Sequence, residues 1–231
     1  MEIFMKNAII SGLILGALHG MSIPVIAGED KITKGYNSMD AMGCMLVREC
    51  KKDVEEVHSL LDISSQYDNT EEFTSVAHEF NTMLMSMNQI GIKVFLADQR
   101  YFPTMHRGVY HTVSNNVYLN KDYMGSPATL MMLMRHEGWH AAQDCMAGTI
   151  DNSLIAIIKP EDEVPMIWRV MAERTYPENA VPWEAEAQWA GRTEKMTMDA
   201  LTACAKGNMW EVYEPTPLTR KWLLENNYIK E

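Results

Sequence analysis

The stretch that most constrains this chain is residues 132–144, MLMRHEGWHAAQD, because it contains His136-Glu137-Gly138-Trp139-His140. In an α-helix, residues four apart lie one turn above each other and about 40° around the axis, so both imidazoles project from one face. Two neutral imidazoles placed in this way can share one Zn2+ at about 2.0–2.1 Å each. Glu137 projects from an adjoining direction, where a carboxylate can hold a zinc-bound water without being a ligand. The spacing works only on a helix, and the flanking residues predict one. Ser126-Pro127 reads as an N-cap followed by proline at the first helical position, and Gly148 as the stop after about Met146.

The rest of the chain must supply a scaffold and a third ligand. Its 231 residues, 47% hydrophobic and 22% charged, suit one folded globular domain. A net charge of −11 with no basic cluster argues against nucleic acid or an anionic membrane surface as partner. Twenty methionines, many at helical spacing, read as adaptable core filler rather than a metal box.

The N-terminus predicts an export signal over residues 1–27. Lys6 precedes the apolar run of residues 8–17, and Val25-Ile26-Ala27 offers a cleavage site. Its removal takes out Glu2 and Lys6 together, so the charge stays at −11. Residues 28–37 read as a linker and 38–231 as a single domain. The protein is expected to be exported, periplasmic or secreted, with no stable membrane span once the signal is removed. In an oxidising compartment Cys44, Cys50, Cys145 and Cys204 suggest two disulfides, with three possible connectivities. Residues six apart in a continuous helix are about 10 Å apart, beyond disulfide reach. A Cys44–Cys50 bond therefore requires a break, and the preferred pattern joins each of these two to one of Cys145 and Cys204.

Apolar periodicity predicts an N-terminal helical pair over residues 38–61 and 70–89, then a strand at 92–97. Residues 109–113 and 116–119 read as short strands around a Ser114-Asn115 turn. Beyond the motif helix and a loop, helices are expected over 162–174, over 183–205 behind Pro182, and over 218–226. The class is α+β: mainly helical, with a small antiparallel sheet preceding the motif helix. His78-Glu79 has no second histidine four residues on and reads as surface.

The best source of a third ligand is Glu184-Ala185-Glu186-Ala187-Gln188 on the helix opened by Pro182. HEGWH followed by a helix bearing Glu-x-x-x-polar resembles the gluzincin group of zinc metallopeptidases, particularly small minimal-domain members. The resemblance covers roughly residues 110–204 and rests on two short motifs. It implies a zincin-like fold, with His136, His140 and Glu184 as zinc ligands and Glu137 as the general base. Gln188 stands where such families commonly carry Asp or Asn as a support for a zinc-binding histidine. Glu186 competes with Glu184, since carboxylates favour the first turn of any helix. No histidine follows His140, which disfavours a metzincin, and a disulfide would exclude Cys145 as a ligand.

The implied reaction is hydrolysis of peptide bonds in a peptide or protein substrate by metal-activated water, with Glu137 moving the proton. Residues 111–119 could present an edge strand to an extended substrate. Tyr176, His111 and Tyr110 are the candidate donors to the oxyanion. The competing expectation is a non-catalytic metal-binding or partner-binding protein on the same fold.

Overall fold

Strand alternation sets up the centre of the molecule, seen in a computed structural model that describes residues 38–230. The expected signal and linker lie outside the described residues. Four strands, β1 (Val54–Glu56), β2 (Lys93–Ala97), β3 (Gly108–His111) and β4 (Asn116–Asn120), form one sheet in the order β1-β2-β4-β3. On one face Val94, Leu96, Tyr110, Val117 and Leu119 enter the main core; on the other, Phe95, Ala97, Val109 and Tyr118 enter a second. This period-2 division, with both faces covered, explains why β2, β3 and β4 are apolar nearly throughout.

The α+β class holds, but the sheet is mixed. β3 and β4 form the expected antiparallel hairpin, and Asn115 takes the left-handed conformation at its turn (φ 53°). The hairpin returns β4 between β3 and β2, which makes β2 and β4 parallel (Lys93 opposite Asn116, Ala97 opposite Asn120). β3 is thereby left as an edge.

The first predicted helix is broken. α1 (Ser38–Leu46) ends before Arg48, whose φ of 61° turns the chain back, and the N–H groups of Glu49 and Cys50 both donate to the Cys44 carbonyl. The turn brings the Cα atoms of Cys44 and Cys50 to 5.2 Å, and they are disulfide-bonded. The preferred cysteine pairing was therefore wrong: the second bond is Cys145–Cys204. β1 and then α2 (Leu60–Ser64) follow where helix was expected, and Leu61 faces solvent instead of continuing an apolar seam.

Residues 70–76 wind as a 3-10 helix into α3 (Ala77–Gln89), whose Phe80, Met83, Leu84 and Met87 are buried. α4 (Pro127–Met146) runs through the core. Ser126 Oγ accepts from Thr129 N–H at its start, and its residues from Glu137 to Asp144 are all buried. α5 (Met166–Thr175) begins after Pro165, later than predicted. The helix expected over 183–205 is two: α6 (Val181–Gly191) and α7 (Met196–Ala205), parted where Lys195 adopts φ 65°. Glu79 holds this break. It accepts from Lys195 N–H at 3.0 Å and forms a two-pronged ion pair with Arg135 of α4. Glu79 is thus a structural brace and not the bare surface residue expected, whereas His78 is exposed. Cys145–Cys204 joins α4 to α7 across 59 residues, a closure that removes about 4 kcal/mol of unfolded-chain entropy. The chain ends in α8 (Met209–Val212) and α9 (Pro217–Glu225). No helix among the described residues is long and apolar enough to cross a membrane.

Candidate metal centre

α4 and α6 meet at unusually short range, and a glycine permits it. A Cβ on Gly191 would lie 3.0 Å from the Met132 carbonyl oxygen and 3.4 Å from His136 Cβ. α6 can therefore settle against the face of α4 that carries the two histidines. One turn into α6, Glu184 turns towards them.

His136 and His140 stand one turn apart with ring centres 4.9 Å from each other and planes at 87°. Glu184 Oε2 lies 3.4 Å from His136 Nε2 and 3.6 Å from His140 Nε2. Among the described residues, this is the one group of three or more His, Cys, Asp or Glu side chains whose ligand atoms converge, all within 4.8 Å of one another. A tetrahedral ion held at about 2.0–2.1 Å needs ligand atoms roughly 3.3–3.4 Å apart, so the spacing around Glu184 fits. Polar accounting agrees with the geometry: His140 Nε2 and both Glu184 carboxylate oxygens are buried without a hydrogen-bond partner. An unpaired carboxylate out of water is costly, and a bound cation would offset that cost.

The electrostatics show the same need. Burial opposes charge on His140, but Glu184 outweighs it and raises the imidazole well above its ordinary value. Burial likewise opposes the Glu184 anion, and the two histidines overcome that and pull its carboxyl below the usual range. A bound cation would offset the same carboxylate and leave the imidazole neutral.

Which nitrogen of His140 faces the centre is set by Gln143, a residue sequence reasoning missed. His140 Nδ1 is 2.8 Å from Gln143 Oε1. The Gln143 amide nitrogen donates to the Trp183 carbonyl at 3.1 Å and to Glu186 Oε2 at 2.7 Å, which fixes the oxygen as the acceptor. Nδ1 therefore carries the proton, and the Nε2 lone pair is directed at Glu184. Gln188, considered for this supporting role, instead accepts from Arg192 at 2.9 Å. A signal for Gln143 was available: it lies three residues after His140, on the same side of the helix.

Glu186 is not part of the centre. It is fully buried and accepts from Trp139 Nε1 (3.0 Å), Gln143 Nε2 (2.7 Å) and the N–H groups of Ile158 and Lys159. Burial outweighs these bonds and raises its carboxyl to about 7. It ties α4 and α6 to residues 154–158, the expected loop, which is fully buried: Leu154, Ala156 and Ile158 face the main core, Ile155 and Ile157 pack with Trp183. Cys145 is excluded as a ligand by its disulfide.

Glu137 lies beside the trio without joining it. It is 2% exposed, and its Oε2 accepts from Tyr110 N–H of β3 at 2.7 Å. Burial raises its carboxyl above the ordinary value, with the two histidines pulling the other way. The phenol of Tyr176 is held above its ordinary value by burial and by the Glu184 and Glu137 carboxylates it faces. Of the other two donors considered, Tyr110 donates its phenol proton to Asp144 at 2.8 Å, and His111 Nδ1 pairs with Ser114 Oγ at 2.8 Å. The assembled residues thus offer two nitrogens and one carboxylate to a single ion, with a buried carboxylate beside them and one phenol close to both carboxylates.

The chain matches no family model, no curated protein and no solved structure.

Proposed function

We propose that the protein is an exported zinc-dependent peptidase of gluzincin type, with His136, His140 and Glu184 as ligands and Glu137 as general base. The observation that carries this is the arrangement of His136, His140 and Glu184 at tetrahedral spacing, with a second, non-ligating carboxylate fixed beside them. Structural zinc is usually closed by four protein ligands, whereas a catalytic site keeps a position open. Three ligands converge here, and the His136 side chain retains 12% of its surface, which leaves the centre approachable. The imidazoles and carboxylate favour zinc over a hard oxygen-seeking cation. Two disulfides suit an oxidising compartment.

Zinc bound there would supply Lewis acidity and bring the pKa of a coordinated water to about 7. Glu137, its carboxyl raised by burial, accepts the proton of the attacking water and returns it to the departing amine. Tyr176 is the donor to the oxygen of the scissile carbonyl, since the protons of Tyr110 and the Nδ1 of His111 are engaged elsewhere. An extended peptide pairs with β3. Asn120 N–H bonds the Arg107 carbonyl, so in this antiparallel register Val109 and His111 face β4 while Tyr110 and Thr112 face outward. Glu137 occupies the Tyr110 N–H, leaving the Tyr110 carbonyl and the Thr112 N–H for substrate.

Metal analysis combined with cleavage of a mixed peptide library tests this. Wild type should carry one zinc and cleave peptides, and Glu137→Gln should keep the zinc and lose activity by a factor of about a thousand or more. Wild-type activity in Glu137→Gln would rule the mechanism out. Zinc without cleavage in the wild type would favour a non-catalytic metal-binding protein.

A further inference from the structure

Tyr110 is attached to α4 at both of its ends. Its backbone N–H donates to Glu137 Oε2 at 2.7 Å and its phenol donates to Asp144 Oδ2 at 2.8 Å. All three residues are buried: Tyr110 at 1%, Glu137 at 2% and Asp144 at 0% exposure. Residues 137 and 144 are two turns apart on one side of the helix, about 10 Å along its axis, and the tyrosine lies along that span. The strand is close against the helix just upstream as well. A Cβ on Gly108 would approach Leu133 Cδ2 to 2.7 Å, so Leu133 would have to shift for any larger residue there.

The register explains why the bond to Glu137 forms. Tyr110 faces the open edge of the sheet, where its N–H has no neighbouring strand to pair with. A buried N–H must find an acceptor, and Glu137 is the one supplied. The consequence falls on the glutamate. One carboxylate oxygen is committed to the strand, and only the other is left for a proton from the reacting atoms. A long, rotamer-rich side chain is thereby held in one orientation by the fold itself.

We propose that Tyr110 is a positioning residue for Glu137: the phenol bond to Asp144 secures the strand on the helix, and the backbone N–H then fixes which carboxylate oxygen Glu137 presents. This rests on the hydrolase function proposed above, but the clamp is present without metal and can be read without activity.

Two measurements test it. In metal-free protein, hydrogen exchange followed by NMR should find the residue-110 amide protected in wild type. Exchange should be at least about tenfold faster in Glu137→Ala, which lacks the acceptor, and in Tyr110→Phe, which lacks the anchor. Asp144→Asn keeps an acceptor for the phenol and should stay close to wild type, while Asp144→Leu should match Tyr110→Phe. In zinc-loaded protein, Tyr110→Phe should lower kcat about tenfold at full zinc content, with Asp144→Asn again near wild type. A residue-110 amide as labile in wild type as in Glu137→Ala would overturn the proposal, and so would a wild-type kcat in Tyr110→Phe. An active Glu137→Gln variant would instead sink the hydrolase function, leaving the exchange data to decide the clamp.

Discussion

Helix α6 carries two fully buried glutamates two residues apart, and they have opposite surroundings. Glu184 turns to the front of the helix, towards two imidazole nitrogens, and neither of its carboxylate oxygens has a hydrogen-bond partner. Glu186 turns to the back and is saturated by two side-chain donors and two backbone N–H groups. A buried carboxylate that is fully hydrogen-bonded holds structure together, whereas one left without hydrogen bonds beside two imidazoles could hold an ion. Gln143 touches both faces, with its oxygen on His140 and its nitrogen on Glu186. The back of the helix therefore supports the front.

The contrast is most exposed to challenge in stability. Glu186→Ala strands three buried donors and a half-buried one, and should cost about 3–5 kcal/mol in urea denaturation. Glu184→Ala, compared without metal, should cost less, about 1–2 kcal/mol, because the packing and histidine attraction that are lost are partly offset by removing a buried carboxylate without hydrogen bonds. Equal losses in the two variants would erase the distinction.

A third buried acid sharpens it. Asp144 has one donor, Tyr110, and one unpartnered oxygen, and burial raises its carboxyl from 3.8 to about 8. A folded-state value above the unfolded one means that the folded protein holds the proton more tightly. The stability linked to Asp144 is therefore full below about pH 4 and lost as pH rises towards 8. Asp144→Asn removes the ionisation, so its stability relative to wild type should climb between those limits and level off above them. Denaturation midpoints at pH 4, 6 and 8 read this smaller effect; a difference independent of pH would contradict it.

Much of the front face was legible in sequence, because local chemistry marks it. Ser126, Pro127 and Gly148 bound α4, the HEGWH spacing aligns His136 with His140, and Pro182 opens the helix that carries Glu184. The two glutamates of α6 could not be ranked from sequence alone, since both suit a first helical turn; only their partners separate them. Misread features share a physical cause, in that tertiary contacts decided what local pattern left open. Val54 and Val57 suit helix or strand equally until β2 pairs with β1. The break between α6 and α7 has no proline and is stabilised by Glu79, over a hundred residues upstream. Residues 154–158 lack a paired strand and are held by Gln143 and Glu186. The parallel pairing of β2 with β4 depends on where a hairpin inserts, and the Cys44–Cys50 bond on a left-handed residue that is not glycine.

Under the proposed function, α6 faces a metal with Glu184 and the scaffold with Glu186. Zinc stoichiometry and affinity measured on wild type, Glu184→Ala and the milder Glu186→Gln test it most directly. One zinc per chain is predicted for wild type and for Glu186→Gln, with affinity reduced at least about a hundredfold in Glu184→Ala. Zinc kept by Glu184→Ala and lost by Glu186→Gln would contradict the assignment.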